Sequence, residues 1–230
     1  MSVSTVSSMQ MTGQLIGMLD SPYVRRVAIA LCHYNLPFEH RPLSVFRDVD
    51  AFRQINPIVK APTFVCDNGA ILMDSTLILT YLQKVVDVQN GNPDAHIHLM
   101  PTSITQYQKA LYLIGLGLNA CDKSVQIVYE RELRPEEKQH QPWFERVQSQ
   151  LLAAYDLIEK EMSNREGWLV ENQMTHADIA IAVAWQFTQY MISDVVPIDR
   201  YPAISALSAT AEALPAFKAS PLAPGWQPKV

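Results

Sequence analysis

Three short stretches of the chain hold residue types that could handle a polar ligand: Ser21-Pro22-Tyr23, Lys60-Ala61-Pro62 and Asp74-Ser75. Serine followed by proline is an ordinary helix entry, with the hydroxyl capping the first turn and the ring presetting φ. Turned the other way, the same hydroxyl would face a ligand, so Ser21 reads either as a cap or as a reactive-site donor. Pro62 sits inside APTF, and proline cannot donate to a sheet ladder. Either this is an edge strand, or Pro62 begins it through a cis peptide bond. A cis bond would turn the N–H and C=O of Ala61 outward, free to pair with an extended ligand. Asp74-Ser75 stands before TLILTYLQKVV and supplies an N-cap, while a helix end keeps several further donors uncommitted.

The elements that must position these residues follow from periodicity. QLIGML (14–19) reads as a short apolar strand, and SPYVRRVAIAL carries a helical rhythm through Val24, Val27, Ile29 and Leu31. A turn and a second strand follow in NLPFEHRPLSV, then a short helix in FRDVDAFRQINP that stops at Pro57. APTFVC and AILM flank Asp67-Asn68-Gly69, a turn sequence that tolerates positive φ, so they predict a hairpin. The order β-α-β-α-β-β-α therefore fills residues 13–87. Residues 88–102 hold Gly, Pro, Asn and Asp, a linker composition. Beyond them only helical patterns recur, over about 103–131, 136–163, 175–192 and 202–213. An all-helical unit over 103–222 thus follows the α/β unit.

Composition narrows the function classes. With 18 basic against 23 acidic side chains, the charge has the wrong sign for nucleic-acid binding, which draws its affinity from neutralised phosphates. No apolar run reaches the ~18 residues a bilayer requires, so no membrane partner is expected. MSVSTVSSMQMTGQ lacks the basic start and apolar stretch of a signal peptide and reads as a disordered leader. Cys32, Cys66 and Cys121 are scattered, which suits a reducing compartment and a cytoplasmic protein. No metal cluster is visible.

Taken together, SPYVRRVAIAL after the first strand, NPIVKAPTF, DNGAILMDSTLILTYL and the helical second half resemble the soluble glutathione transferases. The likeness is to bacterial members of the serine type, similar to the zeta and theta groups. THADIAIAVAW also resembles that family's S/T-x-x-D helix start, a folding signal in which Thr175 caps and Asp178 sits in the first turn. The resemblance implies a thioredoxin-like N-terminal domain and glutathione as substrate, with no metal. It implies a cis Pro62 and a backbone pairing of Ala61 with the cysteinyl part of glutathione. Asp74 and Ser75 match the acidic-Ser pair that holds the γ-glutamyl end, although the acidic member is more often Glu or Gln. A hydroxyl and free N–H groups at a helix start suit its α-carboxylate. Lys60 falls near the glycyl carboxylate position, where the bland alternative is a solvated lysine. Arg25 and Arg26 are expected on the helix surface or in intramolecular ion pairs, and His40 and Cys32 in structural roles.

Ser21 falls on the position whose hydroxyl donates to the glutathione sulfur. A free thiol has a pKa of about 8.5, and lowering it by ~2 units requires ~2.7 kcal/mol of anion stabilisation. A hydroxyl donor to a charged acceptor supplies ~1.5–3 kcal/mol, and the helix dipole another ~0.3–1. The sum is sufficient. Tyr23, two residues on, is the alternative catalytic group, and a plain helix cap is the alternative role for Ser21. The family's second-substrate site implies Tyr107, Leu111, Tyr112 and Trp226 as a lining for a small hydrophobic electrophile, though such a stripe is equally a core. Glu171 departs from a glycine that relatives often carry before the Thr175 helix, and is expected to alter a loop only.

The resemblance implies a glutathione transferase that attacks small electrophiles through the thiolate. It leaves open a glutathione-dependent isomerase or disulfide or peroxide reductase. A non-enzymatic partner-binding protein on the same fold is the third possibility. It also implies a homodimer.

Overall fold

A computed structural model describes residues 12–90, 98–163 and 167–223 of the 230-residue chain. The proposed leader therefore lies outside the described residues except for its last three, and so do part of the linker and Trp226. The α/β half runs β1 (Gly13–Ile16), α1 (Pro22–His33), β2 (Phe38–Arg41), α2 (Val49–Ile55), β3 (Thr63–Cys66), β4 (Ile71–Met73) and α3 (Ser75–Asn90). Its sheet has the order β2-β1-β3-β4, with β1 parallel to β2 and antiparallel to β3, and β3 antiparallel to β4. This is the thioredoxin-like arrangement. The helical half follows as α4 (Ile104–Glu132), α5 (Gln141–Met162), α6 (His176–Ile192), α7 (Pro202–Glu212) and a single turn α8 (Pro215–Lys218).

Three elements differ from the sequence reading. The first strand ends at Ile16 rather than residue 19, because Gly17 takes φ +136° and turns the chain toward Ser21. A side chain could not stand there, since a Cβ on Gly17 would lie 2.6 Å from Val24 Cγ2. The helix expected over 136–163 is broken into a 3₁₀ turn, Glu136–Lys138, and α5, which enters with Pro142 in its first turn. The turn α8 carries no long periodic pattern, yet it buries Phe217.

The capping box at Thr175 is formed in full. Thr175 Oγ1 accepts from the Ala177 N–H, and Asp178 accepts from the Thr175 N–H at 2.7 Å. Asp178 also accepts from the Leu169 N–H at 2.8 Å, which ties down the loop before α6. Glu171 lies in that loop, and the helix start is intact behind it.

Helix α6 is apolar on nearly every side and packs against α1, α4 and α7. It serves two cores. Ile181, Ala184 and Trp185 join the helical core with Leu151, Tyr155 and Tyr201. Ile179, Ala182 and Val183 join Leu15, Val24, Phe64 and Ile78 in the core of the α/β half. Helix α1 is thereby fixed between the sheet and α6, with its N-terminus and Ser21 at the junction of the two halves.

Candidate functional site

A cavity of about 480 Å³ opens where the halves meet. One wall is built from four connections of the α/β half: residues 18–23 after β1, 43–47 after β2, 59–62 before β3, and Asp74-Ser75 before α3. The opposite wall is one face of α4, with Asp122, Val125, Gln126, Val128 and Tyr129, backed by Phe187 of α6.

Ser21 is the N-cap of α1, with extended backbone, and its Oγ accepts from the Val24 N–H at 3.4 Å. That long bond leaves the hydroxyl proton uncommitted, and the residue is half-buried in the cavity wall. His40 secures the turn before it through a 2.8 Å hydrogen bond between Nε2 and the Gly17 carbonyl. The Ala61–Pro62 peptide is cis. Among the described residues no hydrogen bond engages the backbone of Ala61. Val59 holds φ +54° beside it, uncommon for a β-branched residue, so backbone strain is concentrated at the cavity edge.

Asp74, with φ +73°, caps α3: its Oδ1 accepts from the Thr76 N–H at 2.8 Å and the Leu77 N–H at 3.3 Å. The carboxylate is thus committed to the helix. Asp74 and the buried Ser75 both line the cavity, Ser75 Oγ accepts from Arg26 Nη1 at 3.2 Å, and the Ser75 N–H lies ahead of the helix's internal ladder.

Charges in the lining have both signs. Burial pushes the Asp20 carboxyl up, against the Ser21 N–H and the charge of Arg47. Burial, with Cys121 and Asp122 near it, drives the Tyr23 phenol far above its ordinary value, so Tyr23 is a neutral hydroxyl. The thiol of Cys121 behind it is likewise pushed up to about 12 by burial, and is no nucleophile. Phe46 meets Tyr129 edge-to-face, ring centroids 5.7 Å apart, across the cavity from loop to α4.

The glutathione S-transferase N-terminal domain matches residues 15–87, and the glutathione S-transferase C-terminal domain matches residues 120–215. The chain belongs to the glutathione S-transferase family. Among solved structures, a glutathione S-transferase from Methylobacterium radiotolerans in complex with glutathione sulfonate is 26% identical at a TM-score of 0.81, covering 95% of this chain and 99% of that one. Glutathione S-transferase U3 of Arabidopsis thaliana is 26% identical over 84% of this chain and 80% of its own. A maleylacetoacetate isomerase of Pseudomonas aeruginosa is 24% identical over 84% and 88%.

In this glutathione S-transferase, Ser21, Tyr23, Lys60, Ala61, Pro62, Asp74 and Ser75 all line the one cavity. Tyr107, Leu111 and Tyr112 do not. They are exposed on α4, and from Leu111 to Val125 the helix rises about 20 Å. The apolar wall comes instead from Phe46, Val125, Tyr129 and Phe187. Asp122, Val125, Gln126 and Tyr129 recur at helical spacing on one face, a signal the sequence does carry. Phe46 and Phe187 have no local signal. Of the helix surface and the intramolecular ion pair expected for Arg25 and Arg26, neither takes the surface, since they are 1% and 2% exposed. Arg25 is paired with Glu212, whereas Arg26 turns toward Ser75. Among the described residues no cluster of His, Cys, Asp or Glu could hold a metal, and no helix is long and apolar enough to cross a membrane.

Proposed function

We propose that the chain binds glutathione along the α/β wall of this cavity and transfers its thiolate to a small, largely apolar electrophile held against Phe46, Val125, Tyr129 and Phe187. Ser21 donates a hydrogen bond from its hydroxyl to the thiolate sulfur, keeping its own proton. The Ala61 backbone pairs with the cysteinyl unit, Ser75 takes the γ-glutamyl carboxylate, and Lys60 faces the glycyl carboxylate. Asp74, on this reading, acts chiefly as the cap that keeps the Ser75 N–H in place. Tyr23, neutral and next to the same α1 entry, is the alternative donor. The observation that carries the proposal is the convergence of all these residues, distant in sequence, on one cavity at the start of two helices.

The test is ultraviolet difference titration of bound glutathione in wild type and Ser21→Ala. Removing a hydroxyl bond to an anion worth ~1.5–3 kcal/mol raises the thiol pKa by about 1–2 units. The thiolate absorbance at neutral pH should therefore fall about 3- to 25-fold in the variant while glutathione still binds. An unchanged signal would reduce Ser21 to a cap and move the role to Tyr23. Absence of binding in wild type would favour a partner-binding protein.

A glutathione-dependent isomerisation is the second reading. It is favoured by the maleylacetoacetate isomerase among the relatives and by Arg47 and Lys60 in the lining, which suit an anionic substrate. Thiol titration separates the two, because conjugation consumes glutathione and isomerisation returns it.

We further propose a cytoplasmic homodimer. Leu77 and Val88 of α3 and Ile104 and Leu111 of α4 are apolar side chains at least half exposed, a cost that a partner copy would remove. Light scattering giving twice 25.9 kDa is expected, and a monomer overturns it.

A further inference from the structure

Adding a thiol to an electrophile leaves one proton to place. The sulfur loses it when the thiolate forms, and a substrate that gains electrons without expelling a leaving group must recover one. Among the described residues the cavity lining holds no histidine. Its phenols are poor donors, because burial pushes both Tyr23 and Tyr129 up. Three carboxyls remain in the lining, on Asp20, Asp74 and Asp122. Asp74 accepts from the Thr76 and Leu77 N–H groups, and Asp122 accepts from Gln126 Nε2 at 2.8 Å and pairs with Lys123 at 3.1 Å. Asp20 is less committed: its carboxyl meets only the backbone N–H groups of Ser21 and of Asp20 itself. One peptide, ~3.8 Å between Cα atoms, separates it from Ser21. Its charge is felt by Tyr129, and the charge of Arg47 acts on it in turn. The carboxyl thus adjoins both Ser21 and the wall assigned to the electrophile. Burial shifts it up from the ordinary carboxyl value, the direction that suits a proton donor at neutral pH.

We propose that Asp20 is a catalytic proton shuttle, which takes the proton of the glutathione thiol and gives it to the electrophile. The site then favours electrophiles that need a proton, activated alkenes and epoxides, over those that expel a halide. The inference rests on the glutathione reading above. In the first step the S–H bond breaks, the electron pair stays on sulfur beside the Ser21 hydroxyl, and the proton passes to the Asp20 carboxylate. Thiolate and carboxylate side by side repel, so a single proton divides between the two groups. In the second step, with an enone, the C–S bond forms at the β-carbon and the C=C pair moves toward the carbonyl. The carboxyl proton then goes to the α-carbon. Asp20 is again a carboxylate, the next glutathione reloads it, and nothing is oxidised or reduced. A displacement differs. There the carbon–halogen bond breaks as C–S forms, the halide carries the charge away, and a proton on Asp20 contributes nothing.

The test sets cyclohexenone, an addition substrate, against chlorodinitrobenzene, a displacement substrate, at saturating glutathione in wild type, Asp20→Asn and Asp20→Glu. A positioned general acid contributes ~10²–10⁴-fold. In Asp20→Asn the ratio of kcat/KM for the enone to that for the halide should therefore fall about 100-fold or more. Asp20→Glu keeps the acid on a longer arm and should hold the ratio within about 10-fold of wild type. A merely structural role would lower both activities together and leave the ratio in place. The pH profile of wild type is a second reading that needs no variant. The charged and titratable groups facing the same cavity are Arg47, Lys60, Tyr23, Asp74, Asp122 and Tyr129, and both phenols are pushed up, above the range of the profile. Rising pH should strip the shared proton, so that the enone kcat/KM falls about 10-fold per unit on the alkaline side while the halide value holds level. The inference is overturned if the ratio in Asp20→Asn stays within about 3-fold of wild type. It is equally overturned if the two wild-type profiles superimpose, a result that stands even should the variant fail to fold. Wild type that binds glutathione yet shows no enone activity overturns the Asp20 inference alone. Wild type that binds no glutathione in calorimetry overturns the glutathione reading with it.

Discussion

Replacing Glu212 by glutamine would leave the Arg25 guanidinium in the interior with its anion gone. Arg25 is 1% exposed and Glu212 28%, and their two contacts are 2.7 and 2.6 Å in a bidentate fork. The remaining Nε donates to the Ser220 carbonyl at 2.9 Å, and the guanidinium lies 5.7 Å from the centre of the Phe217 ring. At an effective dielectric of about 20 and ~4 Å between charge centres, the Coulomb attraction is about 4 kcal/mol. Breaking a buried pair by removing one partner typically costs ~3–5 kcal/mol. Water on the Glu212 side brings the expected loss to the lower end, about 3 kcal/mol. For a chain of this size that lowers Tm by about 6–12 °C. The double variant Arg25→Met/Glu212→Leu removes both charges and should fall within about 1 kcal/mol of wild type, a coupling of about 2 kcal/mol or more. Urea unfolding followed by circular dichroism measures wild type, Glu212→Gln, the double variant and its two single variants Arg25→Met and Glu212→Leu, with the m-value as a check that the denatured state is unchanged. A Glu212→Gln loss below about 0.5 kcal/mol, or single-variant losses that simply add, would refute the assignment of this pair as a clasp between α1 and the end of α7.

Two further outcomes follow from other parts of the molecule. His176, 5% exposed at the start of α6, has its pKa lowered to about 3 by burial, with the charge of Arg26 adding to the effect. The unfolded chain takes that proton near pH 6.5, so the stability gained by keeping the ring neutral is complete above pH 6.5 and drains away as pH falls. Wild type should lose about 2 kcal/mol more than His176→Gln between pH 7 and pH 5, read from urea midpoints at the two values, and parallel losses would contradict it. Phe46→Ala removes one half of the edge-to-face pair over the cavity. KM for an aromatic electrophile should rise about 3- to 10-fold with glutathione affinity unchanged, the share such a ring pair contributes; steady-state kinetics with each substrate varied in turn would reveal any other pattern.

The parts of the fold legible in the sequence are those decided by a few neighbouring residues. Ser21-Pro22 starts a helix, Asp67-Asn68-Gly69 turns a hairpin, and Thr175 to Asp178 closes a capping box, each through bonds spanning a handful of positions. The α/β wall of the cavity is legible for the same reason, since every member sits beside an element boundary. The second wall was not, because Phe46, Val125, Tyr129 and Phe187 meet only once α4 and α6 have docked beside the sheet. The burial of the two arginines is hidden for a related reason. A charged pair on a helix reads as surface or as half of an ion pair, and nothing near Arg25 announces that its partner is encoded 187 residues away. The interruption of the helix expected over 136–163 lies in a stretch of exposed polar residues, where no buried face enforces continuity.

The sharing of α6 between both cores has a consequence for how the chain comes into being. Strands β1 to β4 and helices α1 and α3 leave the ribosome with their apolar face open, because Ile179, Ala182 and Val183, which complete it, are still untranslated. At ~5–20 residues per second, the roughly 100 residues between α3 and the end of α6 take about 5–20 s to appear. Throughout that interval the nascent half exposes Val24, Ile78 and their neighbours, the kind of surface on which chaperones act. Gene fragments ending before residue 176 should accordingly yield insoluble product, and early stop codons should not leave a working glutathione-binding remnant.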